Sequence, residues 1–277
     1  MKGSAACPWG MEPVDAATAE EFAAGLPDDP FTFGARCLLQ RGVGQAWIRG
    51  PASHPTAAVV AASWLPAEPM AFGSDPDAIW SLLRGIPGWE CVNLMNEDAR
   101  SLATVLEREL GTATRLYSDV YFVLDRAPVL HDHSSVRRLT EDDLEMVERA
   151  PKPLRPVGFL STLAALTGGV QAGGVVDGEL VSCTSMSVSS ENYADLAAHT
   201  LEPWRNRGFG SAAGYLVAQE LVSRGLIPVW STGEDNLRSQ RVAQKLGFHE
   251  FGRRTYVIVP SLQQAHGYRV PSHELSK

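Results

Sequence analysis

The stretch LEPWRNRGFGSAAGYLV, Leu201–Val217, decides how this chain is read. It brings Arg205, Arg207, Gly208 and Gly210 into six positions, directly ahead of a run with the look of a helix. The segment before it, YADLAAHTL (193–201), reads as a strand. A strand that enters a glycine turn and then a helix exposes backbone N–H groups at the helix N-terminus. Together with the helix dipole, those donors make a place for a phosphate. Gly208 and Gly210 let the backbone curl and leave room for a bulky anion, while Arg205 and Arg207 add charge at the rim. An isolated glycine pair with solvated arginines would be no more than a turn, so the context has to decide.

Outward from the loop, the chain alternates strands and helices. A helix over about 211–224, strand IPVWST, helix LRSQRVAQKLG and strand RTYVIV come after it. Ahead of it, QAGGVVDGELVSCTSMSVS (171–189) predicts a hairpin turning at Asp177-Gly178. VRRL predicts a short strand, and Thr140 with Asp143 opens a helix with an acidic first turn. The glycine pattern is not G-x-G-x-x-G, no suitably placed acidic residue ends a second strand, and no G-K-S/T is present. A dinucleotide fold and a P-loop are both excluded.

RNRGFG (205–210) resembles the R/Q-x-x-G-x-G/A signature of the GNAT superfamily of acetyl-CoA-dependent N-acetyltransferases. EDNLRSQRVAQKLGF (234–248) resembles the second signature of that family, an Asn followed by a helix ending in Leu-Gly-Phe; Asn236 stands 26 residues after Gly210. The resemblance covers roughly Val136 to Val259. Within the superfamily, GGVVDGELVSCTS, VSRGLIPVWST and AQKLGF look closest to the zwittermicin-resistance type. The resemblance implies an α/β fold with a mixed central sheet of the GNAT acyltransferase type. It implies acetyl-CoA as co-substrate, no metal, and transfer of the acetyl group to an amine of a small molecule, an antibiotic or related metabolite. The rivals are a protein amine acetyltransferase and a catalytically silent acyl-CoA-binding protein. By the same resemblance the pyrophosphate would sit on Asn206, Arg207, Gly208, Phe209, Gly210 and Ser211, with Arg205 at the rim. The pantetheine would run along the splayed strand end at Ala198, His199 and Thr200, and Asn236 would meet the cofactor arm.

Acetyl transfer needs a neutral amine and a proton for the leaving thiolate. Candidates for the base are Glu191, Asp195, His199 and Glu202, all on or beside the strand 193–201. His199 has a suitable ordinary pKa, although strand alternation can turn its ring away. Many family members carry a tyrosine four residues before the Gly of Leu-Gly-Phe, as the acid for coenzyme A; this chain has Ala243 there. Ser239, one turn earlier, and Tyr256 are the substitutes considered. A helix serine bonded to backbone is the competing reading of Ser239, and an N-cap that of Asn236.

The 277 residues carry a formal net charge of −8, which argues against nucleic acid and favours an amine-bearing partner. No apolar run reaches the roughly 18–20 residues of a membrane span, and MKGSAACPWGMEP lacks an apolar signal core. A cytoplasmic location is expected. Cys7, Cys37, Cys91 and Cys183 form no metal-ligand spacing and are expected as free thiols, with HDH (131–133) as part of a linker.

RAPVLHDHSS (126–135) divides the chain into an expected N-terminal domain, 1–130, and a catalytic domain, 131–277. The first forty-five residues read as short helices and loops. TAAVVAASWL, WECVNLM and DVYFVLD read as strands, DPDAIWSLLRG and EDARSLATVLERELG as helices, with Gly111 as a stop. ARSLATVLERELG precedes YFVL by nearly the interval at which LRSQRVAQKLG precedes YVIV. A degenerate GNAT-like repeat in the first half, without a phosphate turn, stays open beside chance recurrence in any α/β chain. The oligomeric state, a homodimer included, is open too.

Overall fold

The computed structural model describes residues 11–266, so Cys7 and most of the MKGSAACPWGMEP stretch lie outside the described residues. The chain divides into two compact units that interleave along the sequence. The first holds residues up to Pro27, Ala35–Asp119 and Arg253 onward; the second holds Asp28–Gly34 and Val120–Gly252. The boundary after Asp119 therefore does not coincide with the connector at 126–135.

In the first unit, α1 (Ala16–Gly25) starts on Asp15, whose carboxylate accepts from Thr18 N–H, and α2 (Phe33–Gln40) comes next. Strands β1 (Gly44–Arg49), β2 (Ala57–Ala62) and β3 (Leu65–Phe72) form an antiparallel run, with Trp47 opposite Val59 and Val59 opposite Ala71. Helix α3 (Pro76–Leu83) carries the chain to β4 (Cys91–Met95), which is parallel to β3. Helix α4 (Asn96–Leu110) buries Ala99, Leu102, Ala103, Val105 and Leu106 on one face, and Gly111 ends it at φ 63°. Then comes β5 (Arg115–Val123), whose residues from Val120 count with the second unit. Ile79, Leu83, Val92, Leu102 and Leu106 share one apolar core; burying such side chains contributes about 1.5–3 kcal/mol each.

In the second unit β6 (Val136–Arg138) precedes α5 (Leu144–Arg149) and α6 (Thr162–Gly168). Strands β7 (Gln171–Val176) and β8 (Glu179–Ser189) close the expected hairpin, both turn residues at positive φ. β9 (Tyr193–Thr200) is antiparallel to β8, α7 (Phe209–Ser223) comes next, and β10 (Ile227–Gly233) lies parallel to β9. Helix α8 (Leu237–Leu246) ends at Gly247, φ 98°, β11 (His249–Ile258) comes next, and α9 (Pro260–His266) is the last described element. From Arg253, β11 belongs to the first unit, where Tyr256 pairs with Asn93 on β4. Ala213, Val217 and Leu221 of α7 pack with Trp230 and Leu246 in the core of the second unit.

Both units thus repeat one order of elements: antiparallel strands, a helix, a strand parallel to the last of them, and a helix ended by a left-handed glycine. Helix α7 begins two residues earlier than expected. The single strand read in TAAVVAASWL stops at Ala62, and the chain turns there into β3.

Candidate functional site

Helix α7 begins without a side-chain cap. Its N-cap is Gly208, at φ 91°; α4 and α5 also lack a side-chain cap, but their first turns carry Glu97 with Asp98 and Glu145, whereas that of α7 has no acidic residue. The first N–H groups of α7 are thus left as donors at the positive end of the helix dipole. Asn206, at φ 62°, and Gly208 together bend the loop into the helix. Arg205 Nε donates to the Thr200 carbonyl at 3.1 Å, the Arg207 guanidinium lies 5.1 Å over the Trp204 ring, and Trp204 meets Phe209 edge-on at 5.7 Å. Both arginines are tethered beside the uncapped turn. A Cβ on Gly210 would come within 3.3 Å of Thr200 Oγ1, so this glycine also lets the first turn settle on β9.

Towards that loop, β9 and β10 part. Their register covers Tyr193–Asp195 against Ile227–Val229; beyond it β9 stays paired with β8 as far as Thr200, and β10 runs on to Gly233. The expected cofactor residues Ala198, His199 and Thr200 lie on this parted length, with Ala198 exposed and the other two half-buried. Alternation sends Thr200 towards α7 and His199 to the opposite face. There its register partner Cys183 packs with Leu154 of the loop before α6 and Leu166 of α6. Burial, with a smaller contribution from Arg205, pushes the His199 imidazole below its ordinary 6.5, which favours the neutral ring.

Asp195 stands where the strands begin to part. A bulge sets two residues of β8, Ser187 and Val188, against this one residue of β9. Ser187 Oγ donates to Asp195 Oδ2 at 2.5 Å. Burial raises the Asp195 carboxyl above its ordinary 3.8, and the Ser187 hydrogen bond opposes that rise. Gly158, at φ 84°, brings the loop before α6 onto the bulge so closely that a Cβ there would lie 2.0 Å from the Ser187 carbonyl oxygen. Close by, the Phe33 ring meets Tyr193 at 5.8 Å, and burial with Asp28 and Asp29 raises the Tyr193 phenol.

Residues 169–258 match the family model of the GNAT acetyltransferases. The chain has a two-part GNAT fold. It is similar to a GCN5-related N-acetyltransferase-like protein from Streptococcus suis 89/1591, at 18% identity and TM-score 0.62, over 88% of this chain and 99% of that one. A GCN5-related N-acetyltransferase from Kribbella flavida aligns at 16% identity and TM-score 0.56, over 84% and 97%. A tandem GNAT protein from the clavulanic acid biosynthesis pathway aligns at 12% identity and TM-score 0.53, over 90% and 97%. At these identities the likeness is one of fold. A comparison with curated proteins finds no match.

The GNAT segment brings some of the expected catalytic residues together and leaves others apart. Asp195 and His199 share one face of β9, at the parting. Glu191 sits in the turn before β9, at the far end from the loop, and Glu202 is exposed in the short turn after it. Asn236 caps α8, its Oδ1 accepting from Ser239 N–H at 3.2 Å. Ser239 Oγ accepts from Trp230 Nε1–H at 2.9 Å, so the serine holds an indole in place. Ala243 is fully buried in the core beside Trp230 and Leu246. Tyr256 lies on the part of β11 that belongs to the first unit, packed with Cys91, Tyr117 and Ile258.

Ser187 escaped the sequence reading, and His133 entered it only as part of the HDH linker. The His133 ring rests 4.2 Å from Phe209, at the start of α7, and its Nδ1 accepts from Ser135 N–H at 3.2 Å. No local motif marks Ser187, which reaches the site through strand pairing, and His133 reaches it through the connector.

Proposed function

We propose that the second unit binds acetyl-CoA and transfers its acetyl group to an amine of a small molecule. The observation that carries this is the uncapped N-terminus of α7, set directly beyond the point where β9 and β10 part. Residues Asn206–Ser211 would hold the pyrophosphate through backbone N–H groups, with Arg205 and Arg207 as neighbouring charge. The parted length of β9 at Ala198–Thr200 would pair with the pantetheine as an added strand. Bound there, acetyl-CoA supplies the acyl group as an activated thioester. The chain supplies position and proton traffic: Asp195 Oδ takes the proton from the incoming ammonium, and Ser187 fixes the carboxylate's orientation. As the C–N bond forms and the C–S bond breaks, coenzyme A would leave as thiolate and take up the second proton given off by the amine nitrogen. His199, kept neutral, is the second acceptor on the same face. The finer resemblance to the zwittermicin-resistance type, together with the acidic chain, supports an antibiotic or related metabolite as the amine.

The silent acyl-CoA-binding reading draws on one observation: Ala243 and Ser239 are both built into packing. Titration calorimetry with acetyl-CoA, then thiol release in the presence of an amine panel, separates the readings. Binding with turnover on a small amine supports the proposal, turnover only on peptides moves it to a protein acceptor, and binding without turnover supports the silent protein. Absence of binding sinks all three.

A further inference from the structure

The first unit contains counterparts of both halves of the cleft just described. Its β3 and β4 correspond to β9 and β10, and its α3 to α7. The pairing of β3 with β4 narrows to one register pair, Met70 with Asn93, before the strands run on. At that point lies Arg254, fully buried and carried by β11. Its Nε donates to Asn93 Oδ1 at 2.5 Å. Its Nη2 reaches the carbonyl of Asn93 on β4 at 3.1 Å and that of Ala71 on β3 at 3.4 Å. The guanidinium also lies 5.3 Å over the Phe72 ring. A buried guanidinium needs acceptors, and here it finds them on both strands of the parting.

The helix start is filled in the same manner. Asp75 Oδ1 accepts from Asp77 and Ala78 N–H at 3.0 Å, Pro76 has no N–H to offer, and Asp77 adds negative charge to the first turn. A phosphate would meet a carboxylate where α7 offers open donors.

We infer that the first unit is a sealed counterpart of the cleft, with Asp75 in the anion's place and the Arg254 guanidinium stapling the strands. The chain therefore has one acyl-CoA site, and the first unit holds a guanidinium slot filled from within. This rests on the acetyl-CoA reading of the second unit.

Calorimetry on the whole chain and on Ser211→Glu tests the site count. That variant places a carboxylate in the first turn of α7, where helices favour one. One acetyl-CoA per wild-type chain and none on the variant is the expected result. Two on the wild type, or one persisting on a folded variant, overturns the seal. No binding to either protein refutes the acetyl-CoA reading instead, and the slot is then decided by a second measurement. Arg254→Ala should lower the melting temperature by at least about 4 °C. N-ethylguanidinium at a non-denaturing concentration should restore at least half of the loss, whereas ethylammonium should not. No loss, or equal recovery with ethylammonium, overturns the slot.

Discussion

Ser187 holds Asp195 across a bulge, hydroxyl to carboxylate at 2.5 Å, where β9 and β10 begin to part. Because that bond lowers a carboxyl that burial raises, Ser187→Ala should push the Asp195 pKa further up. With Asp195 as base, kcat/KM rises with pH through this pKa, so the acid limb of the profile should move to higher pH in Ser187→Ala. Asp195→Asn should lower kcat by about 10²–10⁴-fold. A pH profile of the two variants checks both statements, and an unmoved limb would remove Asp195 from the reaction.

Gly210→Val should weaken acetyl-CoA at least about tenfold, about 1.4 kcal/mol, with the fold kept. The added side chain presses on Thr200 Oγ1 and disturbs both the first turn of α7 and the strand end below it. Calorimetry on a variant with unchanged circular dichroism reads the effect directly.

Ser239→Ala should reduce stability by about 1 kcal/mol, since it leaves the Trp230 indole N–H without its acceptor, and should change kcat less than about tenfold. Ala243→Tyr should not supply an acid. It forces a ring into a filled core and should cost about 1–3 kcal/mol or more. Denaturant unfolding and steady-state rates distinguish packing from proton transfer; a larger kcat loss in Ser239→Ala would assign the acid to that serine.

His199 contributes a pH dependence of known sign. Its folded pKa lies below the ordinary 6.5, so the stabilisation is fully present above about 6.5 and is lost as pH falls through the lowered value. His199→Gln should flatten that part of the stability curve. Unfolding free energies measured across this window give the comparison.

Gly158→Ala should be among the costlier single changes. The backbone conformation alone is worth about 1–3 kcal/mol, and the Ser187 carbonyl occupies the space. Besides a lower unfolding midpoint, a shifted KM for the acceptor is expected, because a displaced loop would press on the bulge that holds Ser187 against Asp195.

Much of this was readable in advance where local rules act alone. Gly111 and Gly247 end their helices as left-handed residues, Asp177-Gly178 turns its hairpin, and RNRGFG opens α7. Strand β3 was not readable, because LPAEPMAF carries two prolines and a glutamate and is a strand through its pairing with β2 and β4. Helix α6 hid in a mixed stretch for a similar reason: Ser161 caps it, but no apolar period runs long enough to announce it. Asp195 was a candidate only by position. Its partner Ser187 is eight residues away across a bulge, and the extra residue a bulge inserts cannot be seen by alternation. Arg254 was the least visible: in RRTYVIV it looks like a surface charge at a strand start, and only β11's placement against β4 buries it.

The interleaved units set an order on biosynthesis. The first unit waits for Arg253 and the residues beyond it, which emerge from the ribosome only after the whole of the second unit has been made. The second unit in turn needs Asp28–Gly34 and Val120 onward, which are made earlier. The later-made unit can thus complete itself first, leaving the earlier one open along β4 until the last strand arrives. A nascent chain stalled short of Arg253 would leave that strand edge bare, which is the kind of surface that chaperones recognise and that aggregates form on.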